Sequence, residues 1–243
     1  MKMLILARKN LKEILRDPLN LAFGLGFPLI LLFLLSAIQA HVPVSLFEPQ
    51  RLTPGITVFG LSFMTLFSAT VLAKDRTSSL LQRLYTAPLR ASDFIFSYTL
   101  PLVVLSLAQC SLCYAAALLI GLQPSVHIFT AILFILPVAV FFIALGLLCG
   151  SVLTDKQVGG ICGALLTNLC AWLSGAWFDL DLVGGAFKKI AYALPFVHAV
   201  EMEKAALAAD WSALVPHLLW VMGYGLVTLA AAIGLYLRQM RRQ

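Results

Sequence analysis

Six apolar runs, each close to the roughly 20 residues that a helix needs to cross a bilayer core, divide this sequence. They fall near residues 19–39, 54–73, 94–120, 127–153, 158–177 and 213–237. A backbone in hydrocarbon has no water to bond, so each run must satisfy its own N–H and C=O groups as a helix. Composition agrees. Hydrophobic residues make up 61% of 243, charged residues 12%, and the mean hydropathy is +0.95, whereas a soluble domain carries about 25% charged residues. No polar stretch approaches the ~50 residues of a small soluble domain. The expected fold is all-α, a polytopic membrane protein of six transmembrane helices forming one domain over residues 1–243.

The formal charge of +6 would suggest nucleic acid in a soluble chain. Here the cations gather at the ends of alternate runs instead. With the N-terminus inside, Lys2, Arg8, Lys9, Lys12, Arg16, Lys74, Arg76, Arg83, Arg90, Lys156, Arg238, Arg241 and Arg242 lie inside, and only Arg51, Lys188, Lys189 and Lys204 lie outside. This asymmetry predicts both termini in the cytoplasm and a bilayer, not nucleic acid, as the partner of the charge.

Residues 1–17 read as an interfacial helix. Leu4, Leu11 and Leu15 share a face with Ile14 beside it, the cations fall mostly on the other face, and Pro18 stops the helix. A signal peptide is the competing reading. The following run exceeds a typical signal core and Ile38-Gln39-Ala40 is a poor cleavage site, so the N-terminus is expected to be retained. Residues 178–212 are neither a loop nor a clean span. Gly184-Gly185 breaks them, 188–194 reads as a short helix, and Pro195 precedes an amphipathic helix over 196–209. Short re-entrant outer helices packed on the bundle are expected.

One polar loop, 74–93, stands apart. It carries cations, and leucines at helical spacing: Leu80, Leu81 and Leu84 fall on one face of a short helix that Pro88 ends. By charge alone it could be a solvated loop. Residue by residue it resembles the cytoplasmic loop of the ABC-2 type transporter permeases: the Asp75-Arg76 pair opens it, Leu81-Gln82-Arg83-Leu84 forms its core and Pro88-Leu89 closes it. Ser79-Leu80 stands where that family often has Gly-Thr. The resemblance implies a coupling helix that docks on a separate cytosolic ATPase through Asp75, Arg76, Leu80, Leu81, Arg83, Leu84, Tyr85 and Pro88. It also implies ATP and Mg held by that partner, a second permease copy or a related permease, and a bacterial inner membrane.

No catalytic constellation and no phosphate-cradling glycine loop is present in the sequence, so no cofactor and no enzymatic activity is expected in this chain itself. His198 and Glu201 could hold a metal at i, i+3, with Glu203 near, but two ligands do not make a site; a hydrated interfacial cluster is the alternative. Cys110 and Cys113 have a redox-like spacing but sit mid-run with no basic neighbour, so they read as small buried apolar residues. The runs hold almost no ionisable groups, which argues against an ion-driven transporter.

Phe59, Phe63 and Phe67 form a stripe at i, i+4 and i+8, and Asn168 shares a face with Trp172. These read either as ordinary packing or as an apolar translocation surface with one polar handle; the resemblance implies the latter, between facing second and fifth spans. Gly146-x-x-x-Gly150 and Gly159-x-x-x-Gly163 permit close helix approach, within one chain or between two. The expected function is the permease subunit of an ABC-2 type exporter for hydrophobic or amphiphilic molecules. The alternatives are a non-transporting membrane scaffold and a haem-export-like permease; the latter would call for a Trp-rich or paired-His outer segment.

Overall fold

The computed structural model describes residues 2–42, 47–78 and 91–240, and these are helical with no strand among them. The helices are α1 (Lys2–Leu15), α2 (Pro18–Gln39), α3 (Pro49–Thr77), α4 (Ala91–Leu119), α5 (His127–Val152), α6 (155–173), α7 (Leu180–Val183), α8 (Gly185–Ala193), α9 (Pro195–Ala208) and α10 (Trp211–Met240). Their boundaries follow local chemistry. Pro18, Pro49 and Pro195 occupy first-turn positions, where a missing N–H costs nothing. Thr154 and Gln157 form a capping box that starts α6. Gly184, at φ 61°, separates α7 from α8, and α9 ends at Ala209 in the left-handed conformation.

Among the described residues five helices, α2, α3, α4, α5 and α10, are long and apolar enough to cross a membrane. The chain is thus a polytopic α-helical membrane protein. The run expected at 158–177 is not among the five. It forms α6, in which the π-helical stretch Gly159–Leu166 interrupts the α-helix, and Lys156, Gln157 and Asn168 dilute its hydropathy. A second π-helical turn, Ala22–Gly26, lies in α2.

The bundle is built around α3. In its most apolar stretch 89% of the residues are buried, against 17% in α2 and α10. α3 packs on α5, α4, α9, α2 and α6. Small residues make that closeness possible. Gly146 and Gly150 of α5 meet the α3 backbone at Thr65 and Ala69, so this glycine pair serves packing within the chain. Gly159 has no neighbour within 4 Å of where a side chain would begin. Thr65 Oγ1 donates to Phe142 O at 3.0 Å and Ser68 Oγ to Ile143 O at 2.9 Å, tying the two helices together.

Two expectations change in detail. α9 buries most of its length against α3, α5 and α10, so it is an inner helix of the bundle more than an amphipathic surface helix. α1 buries Leu6, Ala7, Asn10 and Ile14, while Leu4 and Leu15 stand on the exposed side with Arg8, Lys12 and Arg16. The expected apolar face of α1 is therefore largely turned outward.

Candidate functional site

Two places gather the residues that the sequence singled out. The first is a cleft of about 310 Å³ framed by both π-helical stretches. Its wall is made by Phe23 and Phe27 of α2, Phe59 and Phe63 of α3, Gly163, Thr167, Asn168 and Ala171 of α6, and Trp177. The rings pack edge to face: Phe59 and Phe63 at 5.7 Å, Phe27 and Phe63 at 6.2 Å, Phe59 and Trp177 at 5.2 Å. Such π-helical stretches frequently mark functional positions, because they turn side chains out of regular register. The cleft offers an apolar, aromatic surface with polar atoms at one side. Asn168 gives its amide to Ala164 O at 2.8 Å, and the Trp177 Nε1–H is buried with no hydrogen-bond partner among the described residues.

Phe59, Phe63 and Asn168 thus come together. Phe67 does not line the cleft; its ring fills the space that a side chain at Gly24 would take. Trp172 is 59% exposed, does not line the cleft, and has its ring centroid 6.1 Å from that of Phe178. Trp177 is a lining residue that the sequence pattern missed, because it follows the turn at Ser174–Gly175 and belongs to no helical face.

Phe63 also holds the fold. It is buried and contacts two other rings, so Phe63→Ala is expected to cost roughly 3 kcal/mol in stability. Asn168→Ala removes an exposed intrahelical bond and is expected to stay within about 0.5 kcal/mol of wild type. Thermal unfolding in detergent separates the two; equal melting temperatures for both variants would remove Phe63 from the core.

The second place is the base of the 74–93 loop, where Asp75 and Arg76 sit. Asp75 is only 4% exposed. Lys9 Nζ donates to its Oδ1 at 2.6 Å and Tyr98 OH to its Oδ2 at 2.5 Å, joining α1, α3 and α4. Lys9 also pairs with Glu13 at 2.7 Å, and Asn10 Nδ2 donates to Ser97 O beside the clamp at 3.1 Å. Burial pulls the Lys9 ammonium down, but its bonds to Asp75 and Glu13 outweigh that and hold its pKa above the ordinary lysine value. Arg76 Nη1 donates to Gly150 O at 2.8 Å and Leu153 O at 3.2 Å, closing the free carbonyl end of α5. Both side chains therefore point into the bundle. Leu80, Leu81, Arg83, Leu84, Tyr85 and Pro88 lie outside the described residues.

Elsewhere, His198 and Glu201 do not converge on a metal. Glu201 pairs with Lys204 at 2.8 Å. His198 Nε2 lies 2.9 Å from Tyr192 O, which can only accept, so this nitrogen donates; its Nδ1 lies 2.8 Å from His217 Nδ1. His198 also stacks on Trp220 at 4.8 Å. This pairing spans 19 residues of sequence, and no local spacing signals it. Among the described residues no group of three or more His, Cys, Asp or Glu could hold a metal ion. Glu203 is fully buried on α9 and accepts from Tyr114 OH at 3.0 Å. All five cysteines are free thiols, and Cys110 and Cys113 are buried.

Span-length apolar helices among the described residues, with an aromatic cleft between three of the bundle's elements, define the class: a polytopic α-helical membrane protein. A model of the ABC-2 type transporter family matches residues 1–207, and the chain belongs to that family. It is also similar to the protein named "Putative transport permease ycf38" of Porphyra purpurea, at 32% identity over 152 residues. That match covers 58% of this chain and 52% of the relative, so the chain spans about half the relative's length.

Proposed function

We propose that this chain is the permease subunit of an ATP-driven exporter that moves hydrophobic or amphiphilic molecules, with ATP and Mg bound by a separate cytosolic ATPase. The observation that carries the substrate class is the cleft: Phe59 and Phe63 from α3 meet Asn168 from α6 across an aromatic space of about 310 Å³. An apolar wall with few polar atoms suits an amphiphile and gives a small ion too few oxygens to replace its hydration shell. The cleft opens beside α6, where a side chain added at Gly159 or Gly160 would meet nothing within 4 Å among the described residues. That uncovered face supports a facing second permease, either another copy or a related chain.

Docking is assigned to the loop. Leu80, Leu81, Leu84 and Tyr85 form an apolar anchor in the sequence pattern, with Arg83 steering its approach. The engagement of Asp75 and Arg76 inside the bundle gives them a different part in the same device. They anchor the base of the loop to α1, α4 and α5, so that a push on the loop reaches the helices around the cleft.

Leu81→Ala with Leu84→Ala is expected to release a co-expressed ATPase on purification, since each anchor truncation costs upwards of about 1–2 kcal/mol. Arg83→Ala should leave a complex that dissociates more readily as salt rises. Pull-down at low and high salt reads both. Full retention of the ATPase by the double leucine variant would remove the coupling-helix assignment and favour a non-transporting scaffold.

A further inference from the structure

A cleft of about 820 Å³ opens between α1 and the end of α3, at the cation-rich end of the bundle. Five cations line it: Arg8, Lys9, Lys12, Arg16 and Lys74. The two carboxylates on its wall are already engaged. Glu13 pairs with Lys9 at 2.7 Å, and Asp17 accepts from the Asn20 side chain at 2.7 Å. Lys9 in turn is held by Asp75. Arg8, Lys12, Arg16 and Lys74 are exposed and make no ion pair among the described residues. Four like charges around one recess repel one another, and an anion seated there relieves that repulsion.

The neighbouring surface says which anion. Leu15 on the exposed side of α1, then Leu19 and Phe23 at the start of α2, are exposed apolar side chains beside the cations. They lead from the recess up a span-length helix that is mostly uncovered. The acidic surface of a soluble protein has no use for such a strip, whereas a lipid presents a charged head and an apolar tail at this relative placement.

We propose that this cleft binds the phosphate-bearing headgroup of an anionic lipid, with an acyl chain laid along Leu15, Leu19 and Phe23. Arg8 and Arg16 supply guanidinium forks matched to phosphate oxygens, while Lys12 and Lys74 act as point charges. The headgroup recess shares no lining residue with the aromatic cleft, and Phe23 alone borders both the acyl strip and that cleft. The consequence is mechanical: the bound lipid joins α1 to the end of α3 beside the Lys9–Asp75 bond that already joins them.

The test is native mass spectrometry of the full chain, released from nanodiscs that contain equal phosphatidylglycerol and phosphatidylcholine. The wild type is expected to retain phosphatidylglycerol preferentially. Arg8→Gln with Arg16→Gln and Lys74→Gln is expected to weaken that retention on the order of a hundredfold, from the contribution typical of each basic residue at a membrane surface. Lys156→Gln with Arg238→Gln, which removes two exposed cations outside the cleft, should leave retention unchanged. If the triple variant fails to fold, Arg16→Gln alone should still lower retention about fivefold. Equal retention of the two lipids would overturn the proposal, and so would an equal loss in the Lys156/Arg238 variant. Displacement by inorganic phosphate alone at equal concentration would assign the site to a free anion instead. Undiminished lipid retention in the triple variant, together with loss of a co-purifying ATPase, would give this face to the ATPase and overturn the lipid assignment.

Discussion

Gly146→Val is expected to destabilise the bundle by roughly 3–5 kcal/mol, enough to prevent most of the protein from reaching its folded state. A side chain at Gly146 would begin 2.4 Å from Thr65 O and 2.9 Å from Thr65 Cα, both backbone atoms that cannot swing aside. Separating α3 from α5 to admit it costs about 1–3 kcal/mol in packing. It also breaks the bonds from Thr65 to Phe142 O and from Ser68 to Ile143 O, at about 1 kcal/mol each. Gly159→Val is the comparison, since nothing lies within 4 Å of that position. Its melting temperature should match wild type, while pairing with a second permease should weaken. Size-exclusion profiles with thermal unfolding in detergent read both quantities. A Gly146→Val protein that melts with the wild type would mean that the α3–α5 contact is looser than described.

The contrast between these glycines shows what a sequence of this kind discloses. Helix positions are legible because hydrocarbon forces long apolar runs into helices, and the runs near 19–39, 54–73, 94–120, 127–153 and 213–237 all became span-length helices. Facing is far less legible. In water a leucine stripe points to the core, but lipid is as apolar as leucine, so apolarity does not separate buried from lipid-facing positions. That is why Leu4 and Leu15 of α1 proved exposed while Asn10 proved buried. It is also why the α3 interior is rich in Thr53, Thr57, Ser62, Thr65 and Ser68, whose small size allows neighbours to approach. The stripe Phe59, Phe63, Phe67 looked uniform, yet only the first two line the cleft; the third was claimed by Gly24, 43 positions away in sequence. Long-range pairs such as His198 with His217 leave no periodic trace at all.

Asp75→Ala is expected to cost about 2–4 kcal/mol and to free α1 from the bundle. Removing the carboxylate leaves Tyr98 OH, buried beside it, without this acceptor, and leaves Lys9 with Glu13 alone. Loss of one member of a buried charged cluster typically costs several kcal/mol; the figure is taken low because the Lys9 side chain is 36% exposed and partly solvated. Tyr98→Phe removes one hydrogen bond and should cost about 1 kcal/mol. The pH dependence has a definite sign. A lysine whose folded pKa lies above its unfolded value contributes stability fully below that unfolded value. The contribution is lost only as pH rises through the higher folded value. The unfolded value here is near 10.5, so α1 should stay docked through neutral and mildly alkaline pH and loosen only beyond the ordinary lysine range. Hydrogen exchange of the α1 amides, followed across that pH range in wild type and in Asp75→Ala, reads the docking directly. The variant should exchange fast at every pH, and Lys9→Met should abolish the alkaline step, since no ammonium remains to titrate. If α1 in Asp75→Ala stayed as protected as in wild type, the clamp would be incidental to docking, and α1 would be held by Leu6, Ala7, Asn10 and Ile14 alone. If instead protection is lost and a co-expressed ATPase still binds the loop while its hydrolysis no longer responds to substrate, then the clamp is what carries the push from the loop to the helices around the cleft.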